Sequence, residues 1–253
     1  MSVYLTAVAA VWGIVAGLAL PRAIHRLAVA SGEPVRADDE DGLPYPPGPR
    51  GWIGGSSGIG GSSGNSGSSD NGGTGTRQRP YGTVLLCVTA CAALAALVGA
   101  RPELVVWLLL VPLGVLLARI DLAVFRLPDV LTLPALAGTA ALLGAAALLP
   151  GHEGSWPRAL LGGVVLGAVY FLLFLINPAG MGFGDVKLAP TLGLALGWYG
   201  WPVLFAGTFA GFVLGAVAGL VLLATRRANR KTPLPFGPFM LIGALGGVLL
   251  ATA

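Results

Sequence analysis

From Leu188 to Thr225 the chain runs 38 residues without a charged side chain. No other feature limits the fold as much. As one helix this run would reach roughly 57 Å at 1.5 Å per residue, whereas a bilayer core is about 30 Å thick. It must fold back on itself. Gly197-Trp198-Tyr199-Gly200-Trp201-Pro202 supplies both turn residues and an aromatic cluster suited to a membrane interface. Other apolar runs near spanning length cover 3–20, 82–100, 104–118, 131–149, 159–176 and 236–251. Charged residues make up 10% of the chain, against roughly 25% in an ordinary soluble domain. The fold class is therefore all-α: a polytopic membrane helix bundle of about eight transmembrane helices.

The placement of lysine and arginine orients the bundle. Alternating eight spans puts 21–81, 119–130, 177–187 and 226–235 on one side, with thirteen of the fifteen basic residues. Only Arg101 and Arg158 fall on the other. By the positive-inside bias the rich side is cytoplasmic, which places the chain in the plasma membrane as a multi-pass protein. The net charge of +4 is thus expected to meet lipid headgroups rather than nucleic acid. Arg226, Arg227, Arg230 and Lys231 primarily set topology, with anionic lipid contact secondary.

Residues 1–30 read as a retained N-terminal membrane anchor, because no cleavage-site pattern follows the first apolar run. Residues 31–80 are a different material. They hold the acidic run Asp38-Asp39-Glu40-Asp41 and a proline-dense stretch, and 18 of the 26 residues from Gly51 to Thr76 are Gly or Ser. Such a composition cannot bury enough apolar surface to offset its ordering entropy, so a disordered cytoplasmic loop is expected there. Residues 81–253 then form the main membrane domain. Cys87 and Cys91 lie four apart in an apolar run and would share a helix face as small packing residues. Gly- and Ala-rich spans allow close helix packing in lipid.

Acids are scarce in the membrane domain, and their positions are informative. Glu103 and Glu153 fall in two outer loops. On the inner side remain Asp121, just past the third span, Asp129 before the fourth, and Asp185 in Gly180-Met181-Gly182-Phe183-Gly184-Asp185-Val186-Lys187-Leu188. An ionisable group at the end of an apolar segment is a functional-site hypothesis by default. Glycines in that loop permit dihedrals and close approaches that other residues refuse. Two carboxylates at one membrane depth suit aspartic proteolysis, where one takes a proton from water and the other hydrogen-bonds the scissile carbonyl. Asp129, after Pro128, reads as the N-cap of the fourth span. Lys187 reads as an interfacial snorkelling residue whose charge could also favour an ionised Asp185. Trp198, Tyr199 and Trp201 read as interfacial belt residues. His25 and His152 are expected on opposite sides, so no Ser–His–Asp set forms. No His/Cys cluster offers a metal site.

Three segments resemble one family. Gly182-Phe183-Gly184-Asp185 is similar to the GxGD signature of the prepilin peptidases, membrane aspartic peptidases that process type IV pilins and pseudopilins. Ile120-Asp121-Leu122 with Leu127-Pro128-Asp129 resembles that family's first aspartate segment. Leu234-Pro235-Phe236-Gly237-Pro238-Phe239 resembles its C-terminal Pro-Phe-Gly-Pro segment. The resemblance implies catalytic Asp121 and Asp185, with Gly182 and Gly184 as the loop glycines; beside them Lys187 is a candidate loop-supporting or substrate-binding residue. The charge bias puts these loops on the cytoplasmic side, the hydrolysis needs water but neither metal nor organic cofactor, and the resemblance implies substrates that are precursors with a basic leader ending in Gly before a hydrophobic helix. Larger family members carry a cysteine-rich domain after the first span and also methylate the new N-terminus. The loop here has no cysteine, so methyl transfer is expected to be absent. Two rival readings are a small ion- or proton-coupled transporter using Asp121 or Asp185, and a catalytically silent membrane assembly subunit.

Overall fold

A computed structural model describes residues 2–28, 36, 80–125, 127–178, 180–226 and 234–252. Eight helices make up the described residues: α1 Ser2–Leu27, α2 Pro80–Val98, α3 Glu103–Val124, α4 Asp129–Ala146, α5 Trp156–Ile176, α6 Phe183–Tyr199, α7 Trp201–Ala224 and α8 Gly237–Thr252. Helices satisfy every backbone polar group within one segment, which lipid demands. Six of the eight, all but α6 and α8, are long and apolar enough to cross a membrane. The expected polytopic helix bundle is borne out. The reading of residues 31–80 as a disordered loop lies outside the described residues, apart from Arg36 and Pro80.

Helix α6 explains the architecture. Its 17 residues reach only about 25 Å, short of a bilayer core of about 30 Å. It does not face lipid along its length: 12 of the 17 residues are buried. Three pairs of consecutive helices pack as hairpins, α1 with α2, α5 with α6 and α7 with α8. Glycines set how closely they approach. A Cβ at Gly162 of α5 would lie 2.6 Å from the Gly193 carbonyl oxygen of α6, and one at Gly13 of α1 would lie 2.7 Å from the Val88 Cα of α2. Between α7 and α8, a Cβ at Gly247 would lie 2.8 Å from the Gly207 Cα. Backbones meet where larger side chains would hold them apart. Cys87 and Cys91 are fully buried free thiols, the expected packing role.

The 38-residue run does fold back, and the break is a single residue. Gly200 separates α6 from α7 with φ +133°, a value that favours glycine. Two expectations for this end of the bundle are corrected. Trp198 is not a belt residue but has 0% exposure in the core, because α6 is enclosed. Glu103 is not in a loop: it opens α3, is fully buried, and accepts the Glu153 N–H at 3.3 Å. Glu153 in turn pairs with Arg101. Arg158 donates to the carbonyls of Gly197 and Trp198 at 3.2 and 2.9 Å. The two basic residues assigned to the poor side therefore sit at one end of the bundle, where they tie the α2–α3 and α4–α5 connections to one another and to α6.

Candidate active site

At the other end, three helix termini converge. The third span runs further than expected, to Val124, so Asp121 lies inside the last turn of α3 rather than beyond it. The helix stops at Phe125, whose left-handed backbone (φ 52°) directs its N–H to the Asp121 carbonyl. Asp185 is likewise helical. α6 begins at Phe183 with Gly182 as N-cap, which moves Gly184 and Asp185 out of the expected loop and into the first turn. Apolar packing accounts for both extensions: Ile120 is fully buried beside Asp121, and Val186 and Leu188 are buried after Asp185.

Asp121 and Asp185 are brought together. Each is 5% exposed, and the two carboxylates lie close enough to act on each other electrostatically. Each also faces a backbone N–H at a helix N-terminus, where the peptide dipoles favour negative charge. Gly237, the first residue of α8, donates its N–H to Asp121 Oδ2 at 3.0 Å. Asp185 sits three residues into α6 with its carboxylate turned back to the Gly182 N–H, the acidic half of a capping box. Two such acids side by side offer one carboxyl to act as an acid and one to act as a base.

The glycines act through space rather than through dihedrals, which corrects the expectation that the loop needs unusual backbone angles. Gly182 has φ −68° and ψ 136°, open to any residue. Gly184 is needed for close approach: a Cβ there would lie 2.9 Å from Leu127 Cβ and 3.1 Å from the Leu127 backbone nitrogen. Leu127, 3% exposed, thereby locks the α3–α4 connection against the start of α6.

Asp129 and Lys187 belong to the periphery. Pro128, not Asp129, is the N-cap of α4, and no side chain caps that helix. The Asp129 side chain is 54% exposed and pairs with Lys187 at 2.5 Å. Lys187 also lies over the Phe183 ring, 4.8 Å from its centroid. The lysine charge is thus committed to Asp129 rather than to Asp185, and the pair ties α4 to α6 beside the dyad.

Two residues of the site were not singled out from sequence. Gly237 was visible only as part of a motif. Tyr170 of α5 is 1% exposed and near enough to Asp185 to feel its charge. It packs on Phe212, with centroids 5.5 Å apart, and Phe236 lies 6.4 Å away. A single tyrosine inside the 159–176 apolar run was the available signal. Among the described residues no group of three or more His, Cys, Asp or Glu side chains is placed to hold a metal ion.

Residues 107–223 match the model of the Type IV leader peptidase family. Three curated relatives bear the name prepilin leader peptidase/N-methyltransferase. The protein from Stutzerimonas stutzeri is 37% identical over 137 residues, covering 53% of this chain and 46% of the relative. That from Pseudomonas putida is 37% identical over 171 residues, 63% of this chain and 56% of the relative. That from Aeromonas hydrophila is 35% identical over 164 residues, 63% and 53% respectively. The chain spans about half the length of the curated relatives it matches. No solved structure matches it significantly. The matches bear out the resemblance to the prepilin peptidase family, and the matched segment holds both Asp121 and Asp185.

Proposed function

We propose, from the match of residues 107–223 to the Type IV leader peptidase family, that this chain is a membrane-embedded aspartic endopeptidase with Asp121 and Asp185 as its dyad. The observation that carries the reading is the meeting of these two buried carboxylates at the ends of α3 and α6, each with its own backbone N–H. In the reaction the ionised carboxylate removes a proton from water while the protonated one hydrogen-bonds the scissile carbonyl. The water oxygen adds to the carbonyl carbon as the protonated carboxyl gives its proton to the carbonyl oxygen, which yields a tetrahedral diol. The proton held by the first carboxylate then passes to the leaving nitrogen, the C–N bond breaks, and an acid and an amine are released. The shared proton is restored to the pair.

The substrates proposed are type IV prepilin or pseudopilin precursors with a short basic leader. They are cut at the cytoplasmic face of the plasma membrane, the side that holds thirteen of fifteen basic residues in the sequence. Membrane lipid surrounds the bundle. Gly184 and the Lys187–Asp129 pair hold the loop and helix ends in place, and Gly182 supplies an N–H to the dyad. No cofactor takes part. The chain is proposed to cleave without methylating, because residues 31–80 contain no cysteine where larger family members place a cysteine-rich domain. A proton-coupled transporter would place its acids on broken helices at mid-membrane, whereas these acids lie at helix ends. Co-expression with candidate precursors tests the reading. A precursor mobility shift that disappears in Asp185→Asn supports it; an unchanged shift in that variant, or none with the native chain, overturns it.

A further inference from the structure

Tyr170 is a buried ionisable side chain beside the dyad to which the reaction above gives no role. The packing of α5 on α6 fixes its height in the bundle. A Cβ at Gly162 would meet Gly193 and Gly197, one at Gly163 would meet Pro190 and Leu194, and one at Gly167 would meet Pro190. The two helices run antiparallel, so each step along α5 faces a residue nearer the start of α6. One further turn past Gly167 brings Tyr170 level with the first turn of α6, which holds Asp185. Its ring packs on Phe212 of α7, with Phe236 close by, at centroid distances of 5.5 and 6.4 Å. Phe236 directly precedes Gly237, whose N–H holds Asp121. Tyr170 therefore stands between the segments that fix the two acids.

The hydroxyl is left over from this packing. A buried tyrosine O–H usually finds a partner, but among the described residues none is hydrogen-bonded to that of Tyr170. The Asp185 carboxylate, within electrostatic reach, takes its hydrogen bond from the Gly182 N–H instead. A donor that stands beside the dyad without bonding to it is available to an oxygen that arrives with substrate. We infer that Tyr170 is a third catalytic residue, whose hydroxyl donates a hydrogen bond to the substrate oxygen that gathers charge as water adds to the scissile carbonyl. The inference rests on the reading of Asp121 and Asp185 as a peptidase dyad. A phenol suits the task, because in water it ionises only near pH 10 and so remains a neutral donor wherever a carboxylate pair works. It donates without giving up its proton, so the proton transfers among the two carboxyls, water and the leaving nitrogen are unchanged. A fixed donor aimed where charge develops binds the transition state better than the ground state, and therefore acts on kcat rather than on KM. The phenylalanines beside the ring hold its orientation, and its 1% exposure keeps bulk water from competing for the bond.

The test compares Tyr170→Phe with the native full-length chain in detergent, on a precursor that the native chain cleaves. The ring and its aromatic contacts stay, so thermal unfolding should change little. Loss of one such donor lowers kcat about 100- to 1,000-fold, and that fall is expected here with KM nearly unchanged. Tyr199→Phe is the comparison. It removes a hydroxyl at the opposite end of α6, where Tyr199 accepts from the Trp107 indole at 3.0 Å, and it should leave kcat unchanged. A fall in kcat of less than tenfold in Tyr170→Phe overturns the inference, as does an equal fall in Tyr199→Phe. So does a rise in KM with kcat unchanged, which would make the hydroxyl a contact of the ground state. Should Tyr170→Phe fail to accumulate, 4-fluorophenylalanine at position 170, close to tyrosine in size but without its O–H, is judged by the same limits. Failure of the peptidase reading itself looks different: the native chain then cleaves no precursor at all.

Discussion

Gly237→Ala isolates one contact at the dyad. A Cβ at this position would lie 2.9 Å from Asp121 Oδ2 and 3.4 Å from its Cγ, so either the carboxylate or the start of α8 must move. Movement lengthens the 3.0 Å bond from the Gly237 N–H to Asp121. A hydrogen bond to a charged group contributes about 1.5–3 kcal/mol, and each 1.36 kcal/mol is tenfold in rate. Cleavage should fall about 10- to 160-fold. The added Cβ disturbs one contact at the first residue of α8, so the variant should still accumulate, and its unfolding shows how much of the lost bond bears on stability. Initial rates on purified protein, with thermal unfolding measured in parallel, separate the two effects. Gly182→Ala is the internal comparison, because its Cβ would meet Asp185 Oδ2 at an ordinary 3.4 Å, and only a few-fold loss is expected. Rates for Gly237→Ala within twofold of native would refute the argument that this N–H positions Asp121.

Asp121→Ala and Asp185→Ala should each abolish precursor cleavage in protein that still inserts, while Asp129→Ala keeps most of it, because an exposed ion pair contributes only about 0.2–1 kcal/mol; an active Asp121→Ala would move the role elsewhere. Deleting 51–76 should leave cleavage nearly intact in a gel-shift assay, as an 18-in-26 Gly/Ser stretch contributes little packing. Mass spectrometry of the processed N-terminus, from cells lacking other methyltransferases for it, should find no added methyl group; one that depends on this chain would place that activity here. Gly162→Ala should destabilise the bundle by at least the 1–3 kcal/mol typical of overpacking, since the added Cβ meets the Gly193 carbonyl at 2.6 Å and backbone cannot step aside. Thermal unfolding in detergent reads this directly.

Most of the architecture was legible because lipid makes hydropathy a strong signal. Runs of apolar residues mark spans, and the 38-residue run had to turn near residues 197–202. Helix ends were less legible. Asp121 and Asp185 were expected outside their helices because charge usually ends an apolar run, yet both lie within a terminal turn. Backbone N–H groups at the starts of α8 and α6, those of Gly237 and Gly182, make burial there tolerable, and sequence order does not reveal the long-range contact between Asp121 and Gly237. Trp198 was misplaced for the same reason, since an aromatic at the end of a span looks interfacial until its helix proves to be enclosed.

The hairpins left a readable trace that hydropathy alone overlooks. Gly13 and Gly17 on α1, Gly193 and Gly197 on α6, Gly207 and Gly211 on α7, and Gly243 and Gly247 on α8 each repeat at four residues. That spacing puts both glycines of a pair on one helix face, where another backbone can approach. The same logic applies at the site. Gly184 bears on Leu127 and Gly237 on Asp121, so in both motifs the glycine matters for what lies across from it. A motif read along the chain suggests dihedral freedom; seen in the fold, it marks where three helix ends come close enough for two carboxylates to act on each other. The dyad is thus a product of packing as much as of its two aspartates, and bulk added at 184 or 237 should impair cleavage although neither residue carries a reactive group.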